Sequence, residues 1–146
     1  YKMLHLPDGL SQDSLHMLMT CEPQIKEIGD LISRTDVLLF GIGTAMRMAD
    51  QRHIADDVRK QLVDNHAVGE ALGQYCDIEG KLIYSTNNIG LSLPDVVKVP
   101  NVIAVAGGQE KANAIIGVMR ACQKGILIID EQAAEGMRQL LQISAL

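Results

Sequence analysis

The chain has 146 residues, of which 47% are hydrophobic and 21% charged, and this predicts one globular domain with a sizeable hydrophobic core. Aromatic residues make up 3% and the net charge is −5, which argues against direct binding of nucleic acid through clustered cations and stacked bases. The sequence shows neither an apolar run long enough to span a membrane nor a signal-peptide pattern, so we expect a cytoplasmic protein.

The three cysteines and four histidines are scattered along the chain. An odd number of cysteines without close spacing favours a reducing compartment over a disulfide framework. The histidines lack the paired spacing of zinc ligands. We therefore expect no disulfide, no metal site and no cofactor.

The first third of the chain predicts a strand, two helices and an apolar strand. A short strand covers Tyr1–Leu6 and ends at Pro7. Ser11 is placed to cap the first helix, and Pro23 fits the first turn of the second. The run Val37–Phe40 has the length and composition of a buried parallel strand, and a glycine-rich turn follows it.

Helices and strands alternate through the rest of the chain. A mostly helical stretch from Ala45 to about Arg59 is broken near His53, Tyr75–Tyr84 has the composition of a hairpin, and Ser92 caps a short helix. The remaining predicted elements are the strands Val102–Ala106 and Ile126–Ile129 and the helices Lys111–Cys122 and Glu131–Leu141. This order predicts an α/β fold with helices on both faces of a sheet.

Two glycine-containing loops follow apolar strands. They comprise Gly41, Gly43, Thr44 and Ala45 in the first loop and Gly107, Gly108 and Lys111 in the second. Backbone N–H groups at such a turn, next to a helix N-terminus, suit an anion such as phosphate. Because ligands bind at the carboxyl ends of parallel strands, we expect the two loops to share one anion pocket. For either loop alone, a tight turn without a ligand remains the alternative.

Charged residues near these loops are further candidates. Arg47 and Arg52 follow the first loop, and a guanidinium group binds phosphate bidentately, although a solvated helix face would explain them equally well. Glu70 lies in an apolar segment, where it could accept hydrogen bonds from sugar hydroxyls, act as a general base, or occupy a surface turn. Asp64 is a second candidate base.

Nucleotide-binding loops are poorly matched. Gly41 and Gly43 supply two glycines of the dinucleotide pattern GxGxxG, but Met46 occupies the third position. A Walker loop is excluded because no Lys-Ser or Lys-Thr pair follows a glycine run. A phosphate site without a nucleotide is therefore the better interpretation.

Several segments, taken together and in order, carry a family resemblance that covers nearly the whole chain. They are LHLPDGLS, TDVLLFGIGTAMRMADQR, DNHAVGEALGQYCDIEGKLIY, VIAVAGGQEKANAIIGVMRA and GILIIDEQAA. The sequence resembles the sugar-binding domain of the SorC family of bacterial transcriptional regulators. This resemblance implies a Rossmann-like, three-layer α/β/α fold with a mainly parallel sheet. That fold is related to ribose-5-phosphate isomerase and glucosamine-6-phosphate deaminase, and the resemblance implies a sugar-phosphate pocket without enzyme activity.

The resemblance also implies roles for the candidate residues. Gly41, Gly43 and Ala45 match the family loop beside the ligand. Arg52 and Lys111 match phosphate-binding residues, and Glu70 matches the carboxylate that faces sugar hydroxyls. No catalytic residue is implied.

For the whole protein, the resemblance implies a repressor of carbohydrate or glycolytic genes whose effector is a phosphorylated sugar such as fructose 1,6-bisphosphate. Effector binding would change contacts in a dimer or tetramer and weaken the grip on operator DNA. The family's helix-turn-helix and first phosphate loop have no match here, so we expect residues 1–146 to form a C-terminal effector-binding fragment. A sugar-phosphate isomerase or deaminase, with Glu70 or Asp64 as base, remains the alternative.

Overall fold

The computed structural model describes residues 1–6 and 9–142, and its secondary structure follows the predicted alternation closely. The helices are α1 (Gln12–Cys21), α2 (Pro23–Ser33), α3 (Ala45–Gln51), α4 (Asp56–Asp64), α5 (Ala112–Cys122) and α6 (Glu131–Leu140). The strands are β1 (Val37–Gly41), β2 (Gly43–Thr44), β3 (Gly69–Ala71), β4 (Gln74–Cys76), β5 (Leu82–Ser85), β6 (Asn101–Ala106) and β7 (Ile126–Ile129). Short 3-10 helices cover Leu93–Lys98 and Gln109–Lys111.

The strands form two sheets. One is parallel, with the order β1-β6-β7, and the other is antiparallel, with the order β2-β3-β4-β5. The antiparallel sheet lies in the chain between β1 and β6, where the sequence pattern predicted only a hairpin. The α/β class and the parallel sheet built from the three apolar runs are confirmed.

Several local predictions are confirmed by the contacts that begin or end an element. The Ser11 hydroxyl accepts a hydrogen bond from the Ser14 amide at the start of α1, and Pro23 is the first residue of α2. The Ser92 side chain caps its 3-10 helix. His53, with a φ of +50°, lies in the break between α3 and α4.

The predicted strand over Tyr1–Leu6 is wrong. These residues have no regular secondary structure, and the predicted end at Pro7 lies outside the described residues. A short apolar segment becomes a strand only when a neighbouring strand satisfies its backbone groups. None of the seven described strands pairs with this segment.

The main hydrophobic cluster lies on one face of the parallel sheet. Phe40, Val102 and Ala104 of the sheet belong to the same buried cluster as Ile115 and Val118 of α5. The side chains that alternate with them point to the opposite face of the sheet. On that face Val37 and Leu39 are 56% and 66% exposed, so the prediction that the whole run Val37–Phe40 is buried is wrong.

The antiparallel sheet separates the main cluster from a smaller one. Ala71 and Cys76 pack in the main cluster, whereas Tyr75 packs with Ala49 and Leu62 in the second. Both faces of this sheet are therefore covered by apolar side chains. None of the helices in the described part of the chain combines the length and the apolar character needed to cross a bilayer.

Candidate functional site

A cavity of about 460 Å³ lies at the carboxyl end of β1. Its walls come from the turn after β1, one face of α3, strand β3 and the residue that precedes α5. Of the predicted site residues, those that line it are Gly41, Gly43, Thr44, Arg52, Glu70 and Lys111. The predicted meeting of two loops that are distant in the chain is therefore present in the structure.

Lys111 joins the two loops directly. Its Nζ donates a hydrogen bond to the carbonyl oxygen of Ile42 at 3.0 Å, across 69 positions of sequence. Since β1 and β6 are parallel neighbours, the loops that follow them emerge at the same edge of the sheet. The Lys111 ammonium is thus held at the cavity with further donor positions to use, because an ammonium group has three.

The first loop forms a strand instead of an open cradle of amides. The Ile42 amide donates to the Val105 carbonyl at 3.2 Å, and the Ala45 amide donates to the Val68 carbonyl at 3.0 Å. These two amides are committed to the protein, which corrects the expectation that they face an anion. The seven-residue α3 is also too short for its dipole to carry much of the binding. Charged side chains, not loop amides, dominate this part of the cavity.

Glu70 is the buried carboxylate of the cavity. Strand β3 places it opposite Gly43 of β2, and 3% of the residue is exposed. Its Oε1 accepts hydrogen bonds from the Gly73 amide at 2.7 Å and from Nη2 of Arg52 at 3.2 Å. Burial of an ionised carboxylate is costly unless donors and a counter-charge compensate, and this pair supplies both.

The second loop is tied to the last helix rather than to the cavity. The Asp130 carboxylate accepts from the Gly108 amide at 2.9 Å and from the Ala133 amide at 2.8 Å. Hydrogen bonds from the amides of Ala133 and Gly108 hold the pKa of Asp130 below its ordinary value. Gly107, Gly108 and Ala45 are not among the residues that line this cavity, and their role in ligand binding stays a prediction. Lys111 alone represents the second loop there.

The cavity carries local positive charge in an acidic protein. Arg47, Arg52 and Lys111 line it together with one carboxylate, Glu70, which leaves an excess of two positive charges. The whole chain has a net charge of −5. A concave site with such a local excess concentrates anions.

Sequence reasoning missed two lining residues of α3 and misplaced one candidate base. Met48 and Gln51 line the cavity. The sequence does contain a signal for them, because helical spacing places Met48 and Gln51 on the same face as Thr44. Asp64 lies at the end of α4, outside the cavity lining, where it pairs with Lys60. Within the described ranges, no group of three or more His, Cys, Asp or Glu side chains could hold a metal ion.

Comparison with known proteins places this geometry in a family. The family model Sugar-bind, which describes a sugar-binding domain, matches residues 1–139. The chain belongs to this family. Central glycolytic genes regulators of Priestia megaterium and Bacillus subtilis are 38% and 36% identical to it over 135 residues.

A solved structure of a SorC family transcriptional regulator from Enterococcus faecalis superposes with a TM-score of 0.80 at 39% identity. The match covers 88% of this chain and 52% of that one. Among the curated relatives, 92% of this chain aligns with 39% of each glycolytic regulator. The chain is thus a SorC-type sugar-binding domain that spans about two fifths of the length of these relatives.

Proposed function

We propose that this SorC-type domain binds a phosphorylated sugar, such as fructose 1,6-bisphosphate, in the cavity at the carboxyl end of β1. The observation that carries the proposal is the placement of Lys111, Arg47 and Arg52 around the buried Glu70. A phosphorylated sugar combines the two chemical features that this set recognises, an anion and several hydroxyl groups.

The phosphate would lie among the cations. The hydrogen bond to the Ile42 carbonyl already holds the Lys111 side chain in place, so its ammonium group loses little conformational entropy when it binds an anion. Arg47 is exposed and lies in the first turn of α3, whereas Arg52 is half-buried and follows the last residue of α3; both line the cavity. Guanidinium groups suit phosphate because their planar donors match two of its oxygens.

The sugar hydroxyls would face Glu70. A carboxylate accepts hydrogen bonds from hydroxyl groups as well as from amides and guanidinium groups, the donors that Gly73 and Arg52 supply here. Buried acceptors of this kind discriminate strongly in favour of ligands that carry a matching hydroxyl. We therefore expect Glu70 to contribute to selection of the sugar, and Lys111 to affinity for the phosphate.

Binding without turnover is the better-supported role. The similar proteins are named as regulators. General acid–base catalysis on a sugar needs an acid and a base at the reacting carbons. Glu70 is the one carboxylate among the lining residues, so the cavity wall offers no second carboxylate as its acid partner. Asp64, the other candidate base, is outside the lining.

For the complete protein, we propose a cytoplasmic, homo-oligomeric repressor of carbohydrate genes. Its operator-binding domain would lie in the part of the polypeptide that corresponds to the unmatched length of the relatives. Sugar-phosphate binding here would change subunit contacts and weaken the affinity for operator DNA. The acidic charge of this chain supports the assignment of DNA contacts to another segment.

Titration calorimetry on the complete gene product tests the ligand. Fructose 1,6-bisphosphate, fructose 6-phosphate, fructose and inorganic phosphate form a series that separates the sugar from the phosphate contribution. We expect binding of at least one sugar phosphate and none of unphosphorylated fructose. Failure of every sugar phosphate to bind would overturn the proposal.

Two lysine variants provide the matched comparison. Lys111→Ala should weaken sugar-phosphate binding by about 1.5–3 kcal/mol, the range for a hydrogen bond to a charged group, or roughly 10- to 150-fold in Kd. Lys26→Ala, which removes the same charge from the exposed surface of α2, should leave Kd unchanged. Equal affinities for the two variants would remove Lys111 from the site.

A further inference from the structure

The turn that joins β3 to β4 bears directly on the buried carboxylate of the cavity. The Gly73 amide donates a hydrogen bond to Oε1 of Glu70 at 2.7 Å, and Leu72 lines the cavity. Both turn residues have a positive φ, +55° for Leu72 and +77° for Gly73, as a two-residue type I′ hairpin turn requires. The position of this turn therefore determines where the Glu70 carboxylate lies.

The residue at the first position of the turn makes this conformation costly. Type I′ turns favour Asn or Asp before Gly, because their short polar side chains tolerate a positive φ. Leu72 has a Cβ and no polar group that could form such a local hydrogen bond. A strained backbone of this kind persists only where the surrounding structure holds it. Contacts from outside the hairpin must therefore hold the turn.

Residues 86–88, which follow β5, supply those contacts. Thr86 donates twice to the Gly73 carbonyl, from its amide at 2.8 Å and from its hydroxyl at 3.0 Å. The side-chain amide of Asn88 donates to the Leu72 carbonyl at 3.0 Å. A Cβ at Gly73 would collide with both side chains, so they lie directly against the turn. Both carbonyls of the turn are thus held from residues 13 and 16 positions away.

The register of the antiparallel sheet brings these residues to the turn. Strand β5 pairs with β4, and Ser85 lies opposite Gln74, the residue that follows the turn. The next residue, Thr86, therefore meets Gly73. Neither Thr86 nor Asn88 is among the residues that line the cavity. Any influence that they have on a ligand must pass through the turn.

The far side of the same segment is attached to the start of α1. Asn87 donates from its side chain to the Leu10 carbonyl at 3.0 Å and accepts a hydrogen bond from Nε2 of Gln12 at 2.6 Å. These contacts join positions that are 77 and 75 residues apart in the chain. A segment that is held on both sides can resist displacement of the turn when a ligand binds.

We propose that Thr86 and Asn88 are positioning residues of the sugar-phosphate site. By holding the turn, they keep the Gly73 amide on Glu70 and direct the Glu70 carboxylate toward the sugar hydroxyls. A buried acceptor discriminates between ligands when neighbouring contacts fix its direction. This role rests on the proposed function and assigns the two residues to selection of the sugar.

The phosphate end of the site has a separate support. Lys111 is held by the Ile42 carbonyl, which belongs to the turn after β1 and not to the β3–β4 hairpin. Loss of the contacts from residues 86–88 should therefore weaken recognition of hydroxyl groups more than recognition of phosphate. A purely structural role of these residues would weaken both equally.

Calorimetry on the complete gene product tests the proposal with two ligands. Fructose 1,6-bisphosphate and hexane-1,6-diol bisphosphate each carry two phosphates, but the second has no sugar hydroxyls. The Kd of the diol compound divided by the Kd of the sugar measures what the hydroxyls contribute. Thr86→Val and Asn88→Ala, singly and combined, each remove a side-chain donor. Asn65→Ala, which removes a similar bond to the Gln61 carbonyl at the end of α4, is the matched control.

We expect the combined variant to reduce this ratio roughly tenfold, the low end for a hydrogen bond to a charged group, and each single variant to reduce it less. Thr86→Ser keeps the hydroxyl and should leave the ratio near its native value, as should Asn65→Ala. Equal weakening of the two ligands would show a merely structural role and overturn the proposal. An unchanged ratio in the combined variant would also overturn it.

Hydrogen–deuterium exchange without ligand separates this result from the proposed function. If the native protein binds neither compound, the proposed function fails, and exchange still decides whether residues 86–88 hold the turn. Peptides that cover residues 69–76 should lose protection in the combined variant and keep it in Asn65→Ala. Unchanged protection in the combined variant would remove Thr86 and Asn88 from the support of Glu70.

Discussion

The two sheets of this domain reverse the usual relation between strand direction and burial. Strands β3 and β4 of the antiparallel sheet consist entirely of buried residues. Strands β1 and β7 of the parallel sheet alternate between covered and exposed positions. Antiparallel sheets more often have a solvated face, and parallel sheets are more often covered on both faces. Burial here depends on which layers the chain itself supplies.

The two sheets also contribute different parts of the candidate site. The antiparallel sheet has four described strands, and the pairing of β2 with β3 places Glu70 beside Gly43 in the cavity wall. The parallel sheet contributes its carboxyl edge, where Lys111 reaches across to the Ile42 carbonyl. Substitutions in the antiparallel sheet should therefore affect stability and binding together. Those at the edge of the parallel sheet should affect mainly the position of the second loop.

Removal of the Glu70 carboxylate should have the largest effect. Glu70→Ala deprives the half-buried Arg52 guanidinium and the Gly73 amide of their carboxylate partner. We expect a loss of about 3 kcal/mol in the free energy of unfolding, the low end for breaking a buried pair, because Arg52 keeps some solvent contact. Urea denaturation measures it. Glu135→Ala, which breaks an exposed pair with Arg138, should change little, and equal effects would contradict the comparison.

Adding a methyl group at a glycine should affect the antiparallel sheet more than the parallel sheet. A Cβ at Gly43 would lie 2.4 Å from Cγ of Met48, whereas a Cβ at Gly41 would lie 3.9 Å from the Val105 carbonyl oxygen, its nearest neighbour apart from the adjoining residues. Gly43→Ala should cost about 1–3 kcal/mol in stability and weaken sugar-phosphate binding, since Met48 must move within the cavity. Thermal unfolding and calorimetry measure the two effects.

Two variants serve as controls for that experiment. One is the single variant Gly41→Ala, and the other is the double variant Gly43→Ala/Met48→Ala. Gly41→Ala should leave the stability of the 146-residue chain nearly unchanged, because a Cβ at this position is not crowded by neighbouring atoms. In the Met48→Ala background, Gly43→Ala should cost less than in the native protein. An undiminished cost would show that Met48 is not the source of the strain.

Asp130 should have a smaller effect, confined to the edge of the parallel sheet. Asp130→Ala removes the N-cap of α6 and frees the Gly108 amide, so the unfolding midpoint should fall and sugar-phosphate affinity should drop less than for Lys111→Ala. Asp130→Asn retains a capping acceptor and should restore most of both. A loss of affinity with Asp130→Ala that exceeds that of Lys111→Ala would contradict the assigned role.

The same residue predicts a pH dependence. Amide donors lower the pKa of Asp130 in the folded protein, so its stabilising contribution is complete above the pKa of an unfolded Asp and disappears as the pH falls through the folded-state value. The difference in stability between the native protein and Asp130→Ala should therefore be constant near neutral pH and shrink in acid. Denaturation at several pH values measures this difference.

The two buried thiols, Cys76 and Cys122, should not react with an alkylating reagent. Burial, with smaller contributions from nearby Asp77, Cys122 and Glu70, raises the pKa of Cys76 to about 12, and burial raises that of Cys122 to about 11. An alkylating reagent at pH 9 should modify the exposed Cys21 while Cys76 and Cys122 stay unmodified. Modification of Cys76 at the rate of Cys21 would show that the antiparallel sheet opens readily.

Local sequence patterns predicted most of the elements and part of the site. The apolar runs of β1, β6 and β7 are short and bounded by turn residues, and the caps at Ser11 and Ser92 act within three residues. The meeting of the two loops followed from the rule that parallel strands share a carboxyl edge. By contrast, the Asp130 contact with Gly108 spans 22 positions, and no local pattern predicts it.

Sequence alone predicted the α/β class, most of the elements in their order, and the meeting of Lys111, Arg52 and Glu70 in one place, because spacing, capping and apolar runs act over a few residues. Tertiary structure decided which face of β1 is buried, that Glu70 pairs with Arg52, and that the loop amides of Ile42 and Ala45 are occupied. These outcomes depend on strand register and on contacts between distant segments, and an apolar run has the same composition whether one face or both faces are covered.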